Sequence, residues 1–129
     1  MPTNSSPGDY RILSSQDLAA HSASLALDKK AKDVVIMDLR GLTSVTDFFV
    51  LCTGESDVQI KAIVDYLDES LRTEDTKPFH IEGYNQSNWV LVDYVDVVVH
   101  IFLAETRDYY GLEKLWADAK VKQVADSDS

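Results

Sequence analysis

Apolar and polar positions along the chain divide it into segments in the order α-β-β-α-β-β-β-α. Residues 1–12, rich in Pro, Ser, Gly and Asn, have no periodicity and read as a flexible lead-in. From Ser14 the pattern turns helical. Ser14 with Asp17 three positions on resembles a capping box, Leu18, Leu25 and the alanines between them give an apolar face, and the cations at Lys29, Lys30 and Lys32 suit a helix C-terminus. Residues 34–39 are β-branched and short, a strand, and Arg40-Gly41 turns the chain. The strand predicted over residues 47–53 is apolar at five successive positions, Phe48 to Cys52, which suits a central place covered on both faces.

The next helix is the clearest element. Ser56 stands at its N-cap with Gln59 placed to reach back, and Ile60, Ile63, Val64, Leu67 and Leu71 fall on one stripe. A strand over residues 78–84 and a polar turn at Asn85-Gln86-Ser87-Asn88 follow. Residues 89–103 are too long and too charged in the middle for one strand, so they are read as two, 89–94 and 96–103, joined by a tight turn. A final helix carries Leu112, Leu115, Trp116 and Ala119 at i, i+3, i+4 and i+7. The expected fold is α/β (α+β), a mixed sheet of about five strands with helices packed on it. One domain spans residues 13–122, and residues 123–129 form a flexible acidic tail.

Composition changes this picture only in part. The 129 residues are enough for one domain with its own core, and 45% are hydrophobic. The longest apolar region is cut by Asp93, Asp96 and His100, and residues 1–8 lack the features of a secretory signal, so a soluble, cytosolic protein is expected. Cys52, the single cysteine, sits in an apolar run and reads as a buried, inert thiol, with no disulfide and no cysteine zinc site. Charge is more informative. Twenty-two acids against twelve bases give a net charge of −10, which disfavours direct nucleic-acid readout and suits a basic protein partner or, equally, simple solubility.

Enzyme chemistry finds little support. Gly54-Glu55-Ser56 at a strand–helix junction could hold phosphate, but its acidic neighbours oppose that and a simple cap explains it. Asp93 and Asp96 could hold a metal for phosphoryl transfer, yet Val98 stands two residues after Asp96, where a second acid would share its face. His100, within an apolar strand, reads as a hydrogen-bonded core or sheet-face residue, and neither His21 nor His80 has ligand spacing to it. Aromatics gather in the last third instead. Trp89, Tyr94, Tyr109, Tyr110 and Trp116 lie beside Asp93, Asp96 and Arg107, the make-up of an interface hot spot. Trp116, on its apolar stripe, is read as core; for Trp89 core and interface stand level.

Several motifs then occur in order. They are Thr46-Asp47-Phe48-Phe49-Val50 with Cys52 and Gly54; Ser56 with Gln59; Glu82-Gly83; Trp89-Val90-Leu91-Val92-Asp93-Tyr94; Asp96-Val97-Val98-Val99-His100-Ile101-Phe102; and Tyr109-Tyr110 with Leu112, Glu113, Leu115 and Trp116. Together they resemble the ribosomal silencing factors, also called Iojap-like proteins, from about Leu18 to Ala119. Val95 departs from the resemblance, standing where the family has Gly, and a β-branched residue resists positive φ. The resemblance implies a nucleotidyltransferase-like fold without the catalytic acids, no cofactor and no catalysis. It implies binding to the large ribosomal subunit through the basic protein uL-fourteen, steric block of small-subunit joining, and repression of translation when nutrients are scarce. It also implies homodimers. The positions carried over for contact are Trp89, Asp93, Tyr94, Asp96, Tyr109 and Tyr110. A nucleotidyltransferase-like enzyme and a dimeric adaptor for a non-ribosomal partner are the alternatives.

Overall fold

The computed structural model describes residues 13–125; the lead-in and the last four residues lie outside the described part. The elements are α1 (Ser15–Asp28), β1 (Lys32–Asp38), β2 (Phe48–Gly54), α2 (Asp57–Arg72), β3 (His80–Glu82), β4 (Trp89–Asp93), β5 (Val97–Leu103), α3 (Ala104–Tyr110), α4 (Leu112–Leu115) and β6 (Lys120–Gln123). Six strands form one mixed sheet in the order β3-β4-β5-β2-β1-β6. Only β2 and β5 pair in parallel, with Phe48 opposite Val97 and Gly54 opposite Leu103. The mixed α/β class read from the pattern is the one observed.

Both long helices start where the sequence places them. Ser14 Oγ accepts the Asp17 N–H at 3.0 Å, and Ser56 Oγ accepts the Gln59 N–H at 3.1 Å. Each satisfies a donor that the first turn leaves without an intrahelical acceptor. Gln59 does more than close a box. Its Oε1 accepts the Glu55 N–H at 2.6 Å, one residue earlier than a simple capping box requires. Its Nε2 donates to the carbonyls of Lys29 and Lys30, so one side chain ties the start of α2 to the end of α1. Gly54 precedes this junction, and a Cβ there would run into the Ile60 side chain.

The two helices cover one face of the sheet. Ile60, Ile63, Val64, Leu67 and Leu71 of α2, with Ala19, Ala23 and Ala26 of α1, meet Val50, Cys52, Val90, Val92, Val99 and Ile101. Alanines on α1 let its backbone lie close to the strands. A second cluster lies on the opposite face, where Val35, Met37, Leu39, Leu51 and Phe102 are buried under a partial cover.

Four expectations are corrected. β3 spans three residues, not the stretch 78–84. The final helix is only the four residues of α4, stopping short of Trp116 and Ala119, and an additional helix, α3, precedes it and ends at Gly111, which takes a left-handed conformation at φ 58. Leu115 of the expected apolar stripe is 72% exposed, whereas Leu112, Trp116 and Ala119 do pack on the second cluster. A sixth strand, β6, pairs antiparallel with β1, and Val124 still donates to the Val34 carbonyl, so residues 123 and 124 belong to the folded part rather than to a tail.

The β4–β5 turn is three residues long, closed by the Asp96 N–H on the Tyr94 carbonyl at 2.9 Å. Val95 sits at its centre with φ 75, and 54% of it is exposed. A β-branched residue held there stores about 1–3 kcal/mol of strain. Val95→Gly should therefore hold or raise the urea midpoint, although a new glycine usually costs about 0.5–1 kcal/mol. In the same assay Leu67→Ala should lose about 2–5 kcal/mol, while the exposed Glu69→Ala should stay within roughly 0.5 kcal/mol of the parent. Equal losses for Leu67→Ala and Glu69→Ala would contradict the packing described.

Candidate functional site

Strand alternation puts Trp89, Leu91 and Asp93 of β4 on the face away from α1 and α2, because Val90 and Val92 point into the helix-side core. Phe49 of β2 and His100 and Phe102 of β5 share that second face. Trp89 is the centre of the group. Its ring centroid lies 5.9 Å from His100, 5.7 Å from Phe102 and 4.8 Å from Tyr110. Phe49 meets His100 edge-on at 4.6 Å and Trp116 edge-on at 6.2 Å. Tyr109, 82% exposed, stands against Tyr110, which is 54% exposed. The result is an aromatic surface that α3 and α4 cover only in part.

Gly83 makes room for this arrangement. It holds φ 81 in the β3–β4 turn, and any Cβ there would overlap the Trp89 carbonyl oxygen. The Trp89 indole donates to His100 Nδ1 at 3.1 Å. An indole N–H can only donate, so Nδ1 accepts and the neutral ring carries its proton on Nε2. That nitrogen is buried without a protein partner. Burial pushes the His100 pKa down to about 4. The reading of His100 as a hydrogen-bonded sheet-face residue agrees with this geometry.

Arg107 fixes the aromatic cover from below. Its Nε and Nη2 donate to both oxygens of Glu113, at 2.9 and 3.0 Å, and Nη1 donates to the Asp33 carbonyl and Thr53 Oγ1. The guanidinium also lies 5.8 Å from the Phe102 ring centroid. Its hydrogen bonds hold the Glu113 carboxyl below its ordinary pKa, against a smaller opposing effect of burial. A seven-residue helix is too short to be stable alone, so this clasp is what sets α3, and with it Tyr110, against Trp89. Arg107, grouped by sequence with the interface charges, is thus turned inward.

The six contact positions carried over from the resemblance divide in space. Trp89, Tyr109 and Tyr110 come together. Asp93, Tyr94 and Asp96 lie at the other end of β4, about 13 Å along the strand from Trp89. Asp93 Oδ1 accepts the Val95 N–H at 2.7 Å, so it caps the turn, and Oδ2 lies 3.7 Å from His80 Nδ1. Asp96 is exposed, and its carbonyl accepts the N–H groups of Asp47 and Phe48, which starts the parallel register. Tyr94 is corrected. It is 8% exposed, packed in the helix-side core, and its hydroxyl has no protein partner, so it cannot serve as an exposed anchor. Burial, with a smaller effect from Asp68, pushes its pKa up. Sequence reasoning missed Phe49 and the Arg107–Glu113 clasp; the only signal was that Phe49 falls on the opposite face from Phe48.

No group of three or more His, Cys, Asp or Glu side chains suited to a metal occurs among the described residues. Cys52 is fully buried and its thiol is pushed up to about 12, which removes it as a nucleophile. No described helix is long and apolar enough to cross a membrane.

The buried imidazole gives a pH signature. Unfolded, a histidine titrates near ~6.5, whereas folded His100 refuses the proton down to about 4. Its contribution is therefore fully present above pH ~6.5 and is lost as pH falls towards 4, by up to about 3 kcal/mol. Urea midpoints of the parent and His100→Leu, measured from pH 7 to 4, should converge as pH falls, since the variant lacks this proton uptake. Parallel curves would rule out a buried neutral His100.

Comparison with known proteins bears on the family and the fold. Residues 12–129 match the family described as "Ribosomal silencing factor during starvation". A ribosomal silencing factor RsfS from Halalkalibacterium halodurans is 41% identical over 112 residues, which are 87% of this chain and 96% of that one. A mouse protein named "Mitochondrial assembly of ribosomal large subunit protein 1" is 33% identical over 109 residues, 79% of this chain and 48% of the mouse one. A crystal structure of a Chromobacterium violaceum protein superposes with a TM-score of 0.79 at 32% identity, covering 89% of this chain and 96% of that one. On its sequence and its fold together, the chain belongs to the ribosomal silencing factor family.

Proposed function

We propose that this protein represses translation by binding the large ribosomal subunit through the basic protein uL-fourteen and occupying the place where the small subunit would join. The observation that carries the reading is the half-covered aromatic face, Trp89 braced by His100 with Tyr109 and Tyr110 beside it. Aromatic anchors on a rigid sheet are the residues that dominate protein interfaces, and this group is held in place before any partner arrives. The net charge of −10 favours encounter with a basic ribosomal protein, and the exposed Asp96 lies at the far end of the same strand pair. No covalent step enters the mechanism; the bound domain excludes the small subunit by its volume. The relatives named as silencing factors, and the mouse relative named for the ribosomal large subunit, support the same direction. The cytosol is the proposed compartment.

The test separates recognition from packing. Tyr109→Ala removes an exposed ring and should keep the parent's melting temperature, while Trp89→Ala should lose some stability with its His100 bond. Both should weaken binding to purified large subunits, Trp89→Ala by at least ~2 kcal/mol. Asp96→Asn should weaken it less, and less again at high salt, because an exposed charge is screened. Tyr94→Ala should instead lower the melting temperature, with binding reduced only in proportion to the unfolded fraction. A stable Tyr109→Ala, Tyr110→Ala double variant that still blocks subunit joining in full would remove the aromatic face from the mechanism.

A further inference from the structure

The acidic excess of the chain is not uniform. Between α1 and the β1–β6 edge lies a groove of about 230 Å³ whose lining includes Ala20, Ile36 and Phe48. Three cations, Arg40, Lys120 and Lys122, line it with one acid, Asp38. That acid is already engaged. Arg40 Nε donates to Asp38 Oδ1 at 2.9 Å and Nη2 to Oδ2 at 2.8 Å, and the guanidinium lies 4.8 Å from the Phe48 ring centroid. These hydrogen bonds hold the Asp38 carboxyl below its ordinary pKa, with a smaller electrostatic contribution from Lys120. Lys120 and Lys122 are exposed and make no ion pair within 4 Å among the described residues.

Two residues apart on one strand, these lysines point to the same side, roughly 6.6 Å from each other. Their register neighbours on β1 are Asp38 and Ile36, and Ile36 packs with the helix-side core. They therefore face the helix side of the sheet, away from the aromatic surface. Lysine on an edge strand is a common guard against sheet-to-sheet aggregation. A guard needs no groove, and no arginine from another segment to keep the nearby carboxylate occupied. On the proposed docking the second face meets a basic partner; a separate spot where three cations outnumber Asp38 and the nearby Asp47 fits the opposite chemistry.

We propose that Lys120 and Lys122, with Arg40 shielding Asp38, grip two phosphates of the RNA backbone on the large subunit, as a second anchor apart from the aromatic face. The proposal rests on the docking described under the proposed function. It involves phosphate contact without base readout, so it is compatible with an acidic chain: two lysines give position and salt dependence, not sequence specificity.

The sign of one measurement decides it. Against a basic protein, removing two cations leaves affinity unchanged or raises it; against RNA it lowers affinity. The full chain, a Lys120→Ala, Lys122→Ala double variant and a Lys120→Arg, Lys122→Arg control are titrated against purified large subunits over a potassium chloride series. Melting temperatures are recorded beside them and should agree. The alanine variant should bind several-fold more weakly at low salt and approach the parent as salt rises. Its slope of log affinity against log salt should be shallower by about 1.4–1.8, the contribution of two phosphate contacts. The arginine control should stay within about twofold of the parent, since charge is kept. Unchanged affinity and slope, with the parent bound, would show that the patch faces solvent and overturn the proposal while leaving the aromatic docking intact. Stronger binding of the alanine variant would place the patch against basic protein. An equal weakening on RNA-free ribosomal protein extracted from the subunits would assign the patch to an acidic protein segment. A parent chain that does not bind large subunits would overturn both this proposal and the function it rests on.

Discussion

Pairing β2 with β5 in parallel sets the terms for the rest of the molecule. Parallel neighbours cannot be joined by a tight turn, so the chain must leave the sheet and return, and α2 with the β3–β4 hairpin is that excursion. Both strands lie inside the sheet and are apolar on both sides, so both faces need cover. Two long helices cover the centre of one face. The other receives only the short α3 and α4 and the turn that follows. The aromatic surface is the remainder, apolar because the strands beneath it are central and open because no third long helix among the described residues lies over it.

This constraint also explains what the sequence made legible. α2 was readable because one face carries a clean stripe and Ser56 marks its start, both local features. β2 and β5 were readable because continuous apolar runs have few other homes. α3, α4 and β6 were not. α3 follows β5 with no capping side chain at Leu103, and it is held by Arg107 reaching Asp33, 74 positions earlier. No local pattern encodes a contact of that range. β6 reads Lys-Val-Lys-Gln, exposed at every position, and exists because β1 offers it a free edge.

The candidate site was legible in composition and misjudged in position. Trp89, Tyr109 and Tyr110 were selected for being aromatic beside charge, and they do meet. Tyr94 was selected on the same ground and is core, because a strand of alternating sides sends it the same way as Val90 and Val92. Counting in twos from Val92 would have found it. Asp93 was expected to present charge and instead closes the turn at Val95, where its carboxylate supports a backbone conformation that the β-branched side chain opposes. Charge on such a chain is better read by location than by sum: the same −10 includes an arginine turned inward to clasp a helix and two exposed lysines on an edge strand.

Trp89 and Trp116 are the chain's only tryptophans, and both lie on the second face, Trp89 bonded to an imidazole and Trp116 edge-on to Phe49. Indole emission from this protein is therefore a local signal. It reports the packing and hydration of one surface and is almost blind to the helix side, whose aromatic probes are tyrosines such as Tyr66, Tyr84 and Tyr94. Light absorbed only by the indoles therefore follows that one surface, without any label. Loosening of α3 from the sheet would change that emission directly, because Tyr110 of α3 packs on the Trp89 ring.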